Sequence, residues 1–117
     1  MKISTIKELL NAEVLCCEDS LSRHVYSACG CDLMSDVLAY VKDQAVLVTG
    51  LVNPQVIRTA VMMDMVCVVF VRSKTPTEEM LELAKESGIV IMTADKRLYE
   101  ACGILYSNGL IGNKVKS

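Results

Sequence analysis

Residues 45–92 read AVLVTGLVNPQVIRTAVMMDMVCVVFVRSKTPTEEMLELAKESGIVIM, a segment in which short apolar runs alternate with helical patterns. The apolar runs cover residues 45–50, 66–71 and 89–92 and are rich in the β-branched residues that favour strands. Continuous apolar strands that alternate with helices are typical of a parallel sheet with helices on both faces. The segment therefore predicts an α/β fold with three layers, α/β/α, around a mostly parallel sheet of about five strands.

Both helices of this segment are predicted to begin at a proline. Asn53-Pro54 marks the start of the first helix, and Thr75-Pro76 marks the start of the second. A proline in the first turn costs no backbone hydrogen bond, and the preceding Asn or Thr side chain can cap the free amides. We therefore expect Asn53 and Thr75 to be the N-caps of the two helices.

The flanking segments complete the domain. The predicted elements are an N-terminal helix with Thr5 and Glu8 at capping-box spacing, strands over 14–17 and 24–29, a helix over 33–41, and a last helix capped by Thr93-Ala94-Asp95. The helix over 33–41 is expected to bury one face, formed by Leu33, Val37, Leu38 and Val41. We expect a single domain over residues 1–117, with a tail over 107–117 that frays.

Composition predicts a cytoplasmic domain with no membrane or nucleic-acid partner. Although 52% of the 117 residues are hydrophobic, no apolar run approaches the roughly 18 residues of a membrane span. The first residues lead directly into helix signals, without the apolar core of a signal peptide. A net charge of −2 gives no general attraction to nucleic acid or anionic lipid. One Phe, four Tyr and no Trp provide no stacking platform for single strands.

The helix predicted over 54–65 is apolar around most of its circumference. The inner stripe consists of Val56, Ile57, Ala60 and Val61, and the other sides add Met62, Met63 and Met65. A helix of this kind is buried on both sides. In so small a domain its outer side is covered either by another subunit, which predicts a homodimer, or by the N-terminal helix.

The six cysteines are expected to be ordinary buried thiols. A zinc or iron–sulfur site normally shows two C-x-x-C knuckles, and the sequence contains none. The alternative is a metal or redox sensor in which Cys16, Cys17, Cys29 and Cys31 converge, with His24 nearby.

The candidate ligand site lies where the predicted parallel strands end. In open parallel sheets, ligands bind outside the carboxyl ends of the strands, near helix N-termini. The three junctions supply Thr49, Gly50 and Asn53, then Arg72, Ser73, Lys74 and Thr75, and finally Thr93 and Asp95. The second junction supplies two cations, two hydroxyls and the free amides of a helix, which are the parts of an anion site. We expect weak binding of a phosphate-bearing metabolite there, and the alternative is that these are solvated loop residues.

No catalytic motif stands out in the sequence. A phosphate loop of the form G-x-x-x-x-G-K-[ST] and a G-x-G-x-x-G fingerprint are both missing. His24 is the one histidine, so any nucleophile activated by histidine would depend on it alone. We therefore expect a protein that is not an enzyme and needs no cofactor.

Over nearly its whole length the chain resembles the DRTGG domain. The resemblance is carried by STIKELLNAEVLC (4–16), SRHVYSACGCDLMSDVLAYVKDQAVLVTGLVNPQVI (22–57) and VVFVRSKTPTEEMLELAKESGIVIMTADKRLYEACGIL (68–105). That family is related to the amino-terminal domain of HPr kinase/phosphorylase. The resemblance implies a three-layer α/β/α fold and a regulatory or accessory module that self-associates, often beside CBS pairs or a phosphotransacetylase domain.

The residues that name the family are replaced here. Its Asp-Arg pair should fall near Val52-Asn53 and its Thr-Gly-Gly near Arg72-Ser73-Lys74, and neither matches. No family site residue is therefore carried over. The resemblance implies a diverged, stand-alone regulatory module that binds a small anionic ligand, a nucleotide or a partner protein. The alternatives are a scaffold without a ligand and the cysteine-based sensor.

Overall fold

The computed structural model describes residues 1–40 and 44–111, which form five helices and five strands. The helices are α1 (Ile3–Leu10), α2 (Met34–Tyr40), α3 (Pro54–Met62), α4 (Glu78–Ser87) and α5 (Leu98–Ser107). The strands are β1 (Glu13–Cys16), β2 (Ser27–Gly30), β3 (Ala45–Thr49), β4 (Cys67–Phe70) and β5 (Val90–Thr93).

The strands form one sheet in the order β1-β5-β4-β3-β2. Strands β2 to β5 are parallel, and β1 pairs antiparallel with β5 at one edge. Thr49 lies opposite Phe70, and Phe70 lies opposite Thr93, so the parallel strands end side by side. The prediction of a mostly parallel sheet of five strands is confirmed.

Helices cover both faces of this sheet. Because β2 to β5 follow one another in space as in sequence, right-handed crossovers place α2, α3 and α4 on the same face. Their apolar residues pack with Leu47, Val68 and Ile91. Helices α1 and α5 pack on the other face, against Val46 and Val69. The three-layer α/β/α prediction is confirmed, and none of the helices described is long and apolar enough to cross a membrane.

The caps of three helices differ from the predictions. Helix α1 begins at Ile3, before the predicted Thr5–Glu8 capping box, and its N-cap has no side-chain hydrogen bond. The N-cap of α4 is Thr77, whose hydroxyl accepts from the Met80 amide at 3.3 Å, and Thr75 is not the cap. Thr75 and Thr77 flank Pro76, and a threonine at either position can cap a helix, so the sequence alone did not decide between them.

Helix α5 begins at Leu98, later than predicted. The Asp95 side chain does not cap it, and the N-cap residue Arg97 makes no side-chain capping bond. The reason lies in the preceding chain, because the Ala94 and Lys96 carbonyls accept hydrogen bonds from the loop after β4. These bonds fix the chain between β5 and α5 in a non-helical conformation until Leu98.

The inward face of α2 also differs from the prediction. Val37 is buried as expected, but Leu33 is 58% exposed and Leu38 is 39% exposed. Leu33 precedes the helix, which starts at Met34, so the buried stripe is Met34 and Val37 at helical spacing. Val41, the last predicted member of that stripe, lies outside the described residues.

Helix α3 ends at Met62, and its outer side is open in the structure. Met65 lies beyond the helix and is buried, whereas Val61 is 45% exposed and Met62 is 70% exposed. The alternative that the N-terminal helix covers this side is wrong, since α1 packs on the opposite face of the sheet.

Strand β2 begins later than predicted, at Ser27. His24, the predicted start, instead forms an isolated bridge with Lys2.

The C-terminal segment also differs from the prediction. The predicted frayed tail is wrong for residues 107–111, because Ser107 ends α5 and Leu110 packs into the core with 4% exposure. The remainder of the predicted tail, residues 112–117, lies outside the described part of the chain.

Candidate functional site

Four loops meet at the carboxyl edge of the sheet, one after each parallel strand. They enclose a cleft of about 450 Å³. Its lining residues are Asp32 after β2, Gly50 after β3, Val71 and Arg72 after β4, and Arg97, Leu98 and Tyr99 after β5. The volume is within the range of small-molecule sites, roughly 300–1,000 Å³.

Asp32 ties the first two of these loops together. Its Oδ1 accepts hydrogen bonds from the Thr49 hydroxyl at 2.9 Å and from the Gly50 amide at 2.8 Å. The Gly50 amide, helped by Thr49 and by the positive charges of Arg72 and Lys74, lowers the pKa of Asp32, although burial opposes this. Asp32 is therefore ionised at neutral pH.

The loop after β4 has an unusual backbone. Arg72 and Ser73 both adopt left-handed conformations, with φ of +57° and +55°. For residues with a side chain this conformation costs about 1–2 kcal/mol each. It is held by two backbone hydrogen bonds, from Arg72 N to Lys96 O at 2.7 Å and from Ser73 N to Ala94 O at 2.8 Å. The amides of Arg72 and Ser73 are thus already used within the protein.

The Arg72 guanidinium lies directly over Gly50. A Cβ atom at position 50 would come within 2.7 Å of Arg72 Nη2, so the close approach requires glycine. Across the described ranges 1–40 and 44–111, the one ion pair within 4.0 Å is Asp95–Lys96, at 3.6 Å. Arg72 therefore lines the cleft without a carboxylate in that distance.

The other wall of the cleft comes from the start of α5. Arg97 and Tyr99 are exposed, Tyr99 by 90%, and Leu98 is half-buried between them. The sequence reasoning missed Asp32, Arg97 and Tyr99. The rule that it used for three junctions would also have found Asp32, which follows the end of β2, whereas Arg97 and Tyr99 depend on where α5 begins.

The predicted site residues separate into two sets. Gly50 and Arg72 line the cleft, and the buried Thr49 bonds to the lining residue Asp32. The other predicted site residues do not line the cleft. Asn53 Oδ1 caps α3 by accepting from Gln55 N at 2.8 Å, and Thr93 Oγ1 donates to Lys74 O at 2.7 Å. The Ser73 amide donates to the Ala94 carbonyl, Asp95 pairs with Lys96, and the Lys74 and Thr75 side chains are exposed.

The convergent cysteine site is wrong. Cys16 and Cys17 lie at the β1 edge of the sheet, and Cys29 and Cys31 lie at the β2 edge. Four strand spacings separate these edges, or roughly 19 Å. The structure, over the residues that it describes, holds no group of three or more metal-ligating side chains placed to bind an ion.

The thiols have the properties of buried groups. Burial raises the pKa of Cys16 and of Cys29 to about 11, and it also raises the pKa of Cys67 and Cys102. Cys16 Sγ donates to the Ile89 carbonyl at 3.4 Å. These four thiols are therefore protonated at neutral pH, and the thiolate is the reactive form.

The fold places the chain in the class of three-layer α/β/α domains. The model of the DRTGG domain matches residues 5–107, and the chain belongs to this family. No curated protein matches its sequence at a significant level.

A solved structure shares the fold. It holds the CBS and DRTGG domains of the regulatory region of Clostridium perfringens pyrophosphatase, complexed with an activator, diadenosine tetraphosphate. The TM-score is 0.73 and the sequence identity 17%, over 89% of this chain and 45% of that one. The chain thus spans less than half of the regulatory region to which it is similar.

Proposed function

We propose that the chain is a regulatory module that binds a small phosphate-bearing ligand in the cleft at the carboxyl edge of its sheet. One observation carries the proposal. Two arginines, Arg72 and Arg97, line a single cleft, and no carboxylate among the described residues lies within 4.0 Å of either side chain.

The physical argument for a phosphate rests on shape and charge. Guanidinium groups bind phosphate with two parallel hydrogen bonds, which adds geometric specificity to the charge attraction. Each exposed charge contributes on the order of 1 kcal/mol or less, so binding is weak, between micromolar and millimolar. The clamped backbone of Arg72 fixes where its side chain starts and lowers the entropy cost of binding.

A regulatory role, rather than catalysis, is favoured by the placement of the one histidine. His24 lies before β2, at the amino end of the parallel strands, and the cleft lies at their carboxyl end. The regulatory region of the pyrophosphatase shares the fold and is described with a nucleotide activator. The six free cysteines favour a reducing compartment, and we place the module in the cytoplasm.

Removal of both cleft arginines tests this function. Pyrophosphate is titrated by calorimetry into the wild type, into Arg72→Ala/Arg97→Ala, and into Arg58→Ala/Lys85→Ala as a control. The control removes the same charge from exposed positions on α3 and α4. We expect the cleft variant to weaken binding by at least about tenfold and the control to leave it nearly unchanged. Equal losses in both variants would show that only net charge matters and would contradict the site.

Self-association is a second proposal, and the exposed apolar side of α2 and α3 supports it. These helices pack side by side and expose Leu38, Val61 and Met62, and Leu33, just before α2, is exposed as well. Apolar surface of this kind marks interaction sites. We propose that it forms a homodimer contact, and a scaffold role without a ligand would use the same surface. Sedimentation of the wild type and of Met62→Lys tests it, because a monomeric wild type at high micromolar concentration excludes the homodimer.

A further inference from the structure

We propose that the ligand of the cleft is a nucleoside phosphate, with its base on Tyr99, its sugar hydroxyls on Asp32 and its phosphates on Arg72 and Arg97. This inference rests on the proposed function and names the class of ligand. It combines three features of the cleft that an inorganic anion would leave unused.

The first feature is the position of Tyr99. Tyr99 is one of the residues that line the cleft, and it is nevertheless 90% exposed. An exposed aromatic ring at an arginine-lined cleft offers a platform on which a base can stack, and such stacking does not depend on the identity of the base. Tyr106 lies seven residues later, two turns along the same side of α5, and does not line the cleft.

The second feature is the unused oxygen of Asp32. Both hydrogen bonds to this carboxylate end on Oδ1, and no described residue donates to Oδ2. A cleft that holds a carboxylate together with two arginines suits a ligand that carries donors as well as phosphates. The hydroxyls of a ribose donate to a carboxylate in this way.

The third feature is the size and the apolar part of the cleft. At about 450 Å³ it has several times the room that a phosphate group needs, and the half-buried Leu98 contributes apolar surface. A ligand with a flat apolar ring and a sugar can use that surface, as ligands do in mostly apolar pockets.

The test of the base contact compares two ligands and two tyrosines. ADP and pyrophosphate are titrated by calorimetry into the wild type, Tyr99→Ala and Tyr106→Ala. We expect the wild type to bind ADP more tightly than pyrophosphate. Tyr99→Ala should weaken the affinity for ADP about tenfold and leave the affinity for pyrophosphate unchanged. Tyr106→Ala, which removes an exposed ring from the same helix, should change neither affinity.

The test of the sugar contact uses a ratio, so that a change in the stability of the loop does not mimic it. The affinities for ADP and 2′-deoxy-ADP are measured for the wild type and for Asp32→Asn. The wild type should prefer ADP several-fold, and Asp32→Asn should bind both nucleotides equally. An unchanged preference in Asp32→Asn would remove the sugar contact from the proposal.

The outcomes separate this inference from the proposed function. If pyrophosphate binds as tightly as ADP, or Tyr99→Ala leaves ADP unaffected, the nucleoside assignment is wrong, while an arginine-dependent anion site stands. If the wild type binds neither ADP nor pyrophosphate, both proposals fall.

Discussion

Gly30 is the last residue of β2, Gly50 directly follows the neighbouring parallel strand β3, and neither has room for a methyl group on its Cα. At Gly30 a Cβ atom would overlap Cys102 Sγ of α5, which packs on the sheet. At Gly50 it would meet the Arg72 guanidinium, the far end of a flexible side chain that lines the cleft. Glycine at this edge of the sheet thus has two purposes: Gly30 allows α5 to pack on the sheet, and Gly50 gives the binding cleft its shape. The predictions below test this difference, in order of their expected effect on folding stability.

The largest loss of stability is expected for Gly30→Ala. The new methyl group forces Cys102 and α5 away from the sheet, and overpacking of this kind costs about 1–3 kcal/mol. Urea denaturation measures the free energy of unfolding. The double variant Gly30→Ala/Cys102→Ala removes the overlapping sulfur and should recover part of the loss, and strict additivity of the two changes would contradict the contact.

A smaller loss, which depends on pH, is expected for Asp32→Asn. At pH 7 the variant should lose about 1 kcal/mol, because the hydrogen bonds from Thr49 and Gly50 no longer end on a charged oxygen. The pKa of Asp32 is below the ordinary value of 3.8. Its stabilising effect is therefore complete above that pH and disappears as the pH falls through the pKa of the folded state. Denaturation between pH 7 and pH 2 should show that the free energies of unfolding of the wild type and Asp32→Asn converge only below about pH 4. A difference in free energy that stays constant with pH would contradict the role of the charge.

The backbone of the β4 loop makes a prediction at Ser73. With φ of +55° this residue should accept glycine with little net change, since relieved strain offsets the greater entropy of the unfolded chain. Ser73→Val should cost about 1 kcal/mol or more, because a β-branched side chain fits the left-handed region poorly. Thermal unfolding of the two variants compares them, and equal stabilities would argue against the left-handed loop.

The smallest effect on stability is expected for Gly50→Ala. Arg72 can move its guanidinium aside, so the free energy of unfolding should change by less than about 0.5 kcal/mol. The displaced guanidinium no longer lines the cleft, and the affinity for pyrophosphate should fall several-fold. Calorimetry and urea denaturation of the same sample check both parts. A variant that lost stability as Gly30→Ala does would remove the distinction between the two glycines.

The sequence predicted the sheet because its signal is local. Three apolar runs bounded by helix signals became β3, β4 and β5, each within about one residue at either end. The rule that ligands bind at carboxyl ends then directed attention to Thr49, Gly50 and Arg72.

The parts that could not be predicted depend on contacts between distant residues. The start of α5, and with it the placement of Arg97 and Tyr99, follows from hydrogen bonds between the β4 loop and the carbonyls of Ala94 and Lys96. The cysteine prediction failed for a related reason. Strands adjacent in sequence usually lie close together, but β1 pairs with β5 and lies across the sheet from β2.

The most direct test of the central claim is an NMR titration of the ¹⁵N-labelled protein with pyrophosphate. The account predicts that the amide signals of Gly50, Arg72 and Tyr99 shift with one common dissociation constant, whereas those of His24 at the other end of the strands and Met62 on the outer side of α3 do not. Shifts confined to residues away from the cleft, or no shifts at millimolar pyrophosphate, would contradict it.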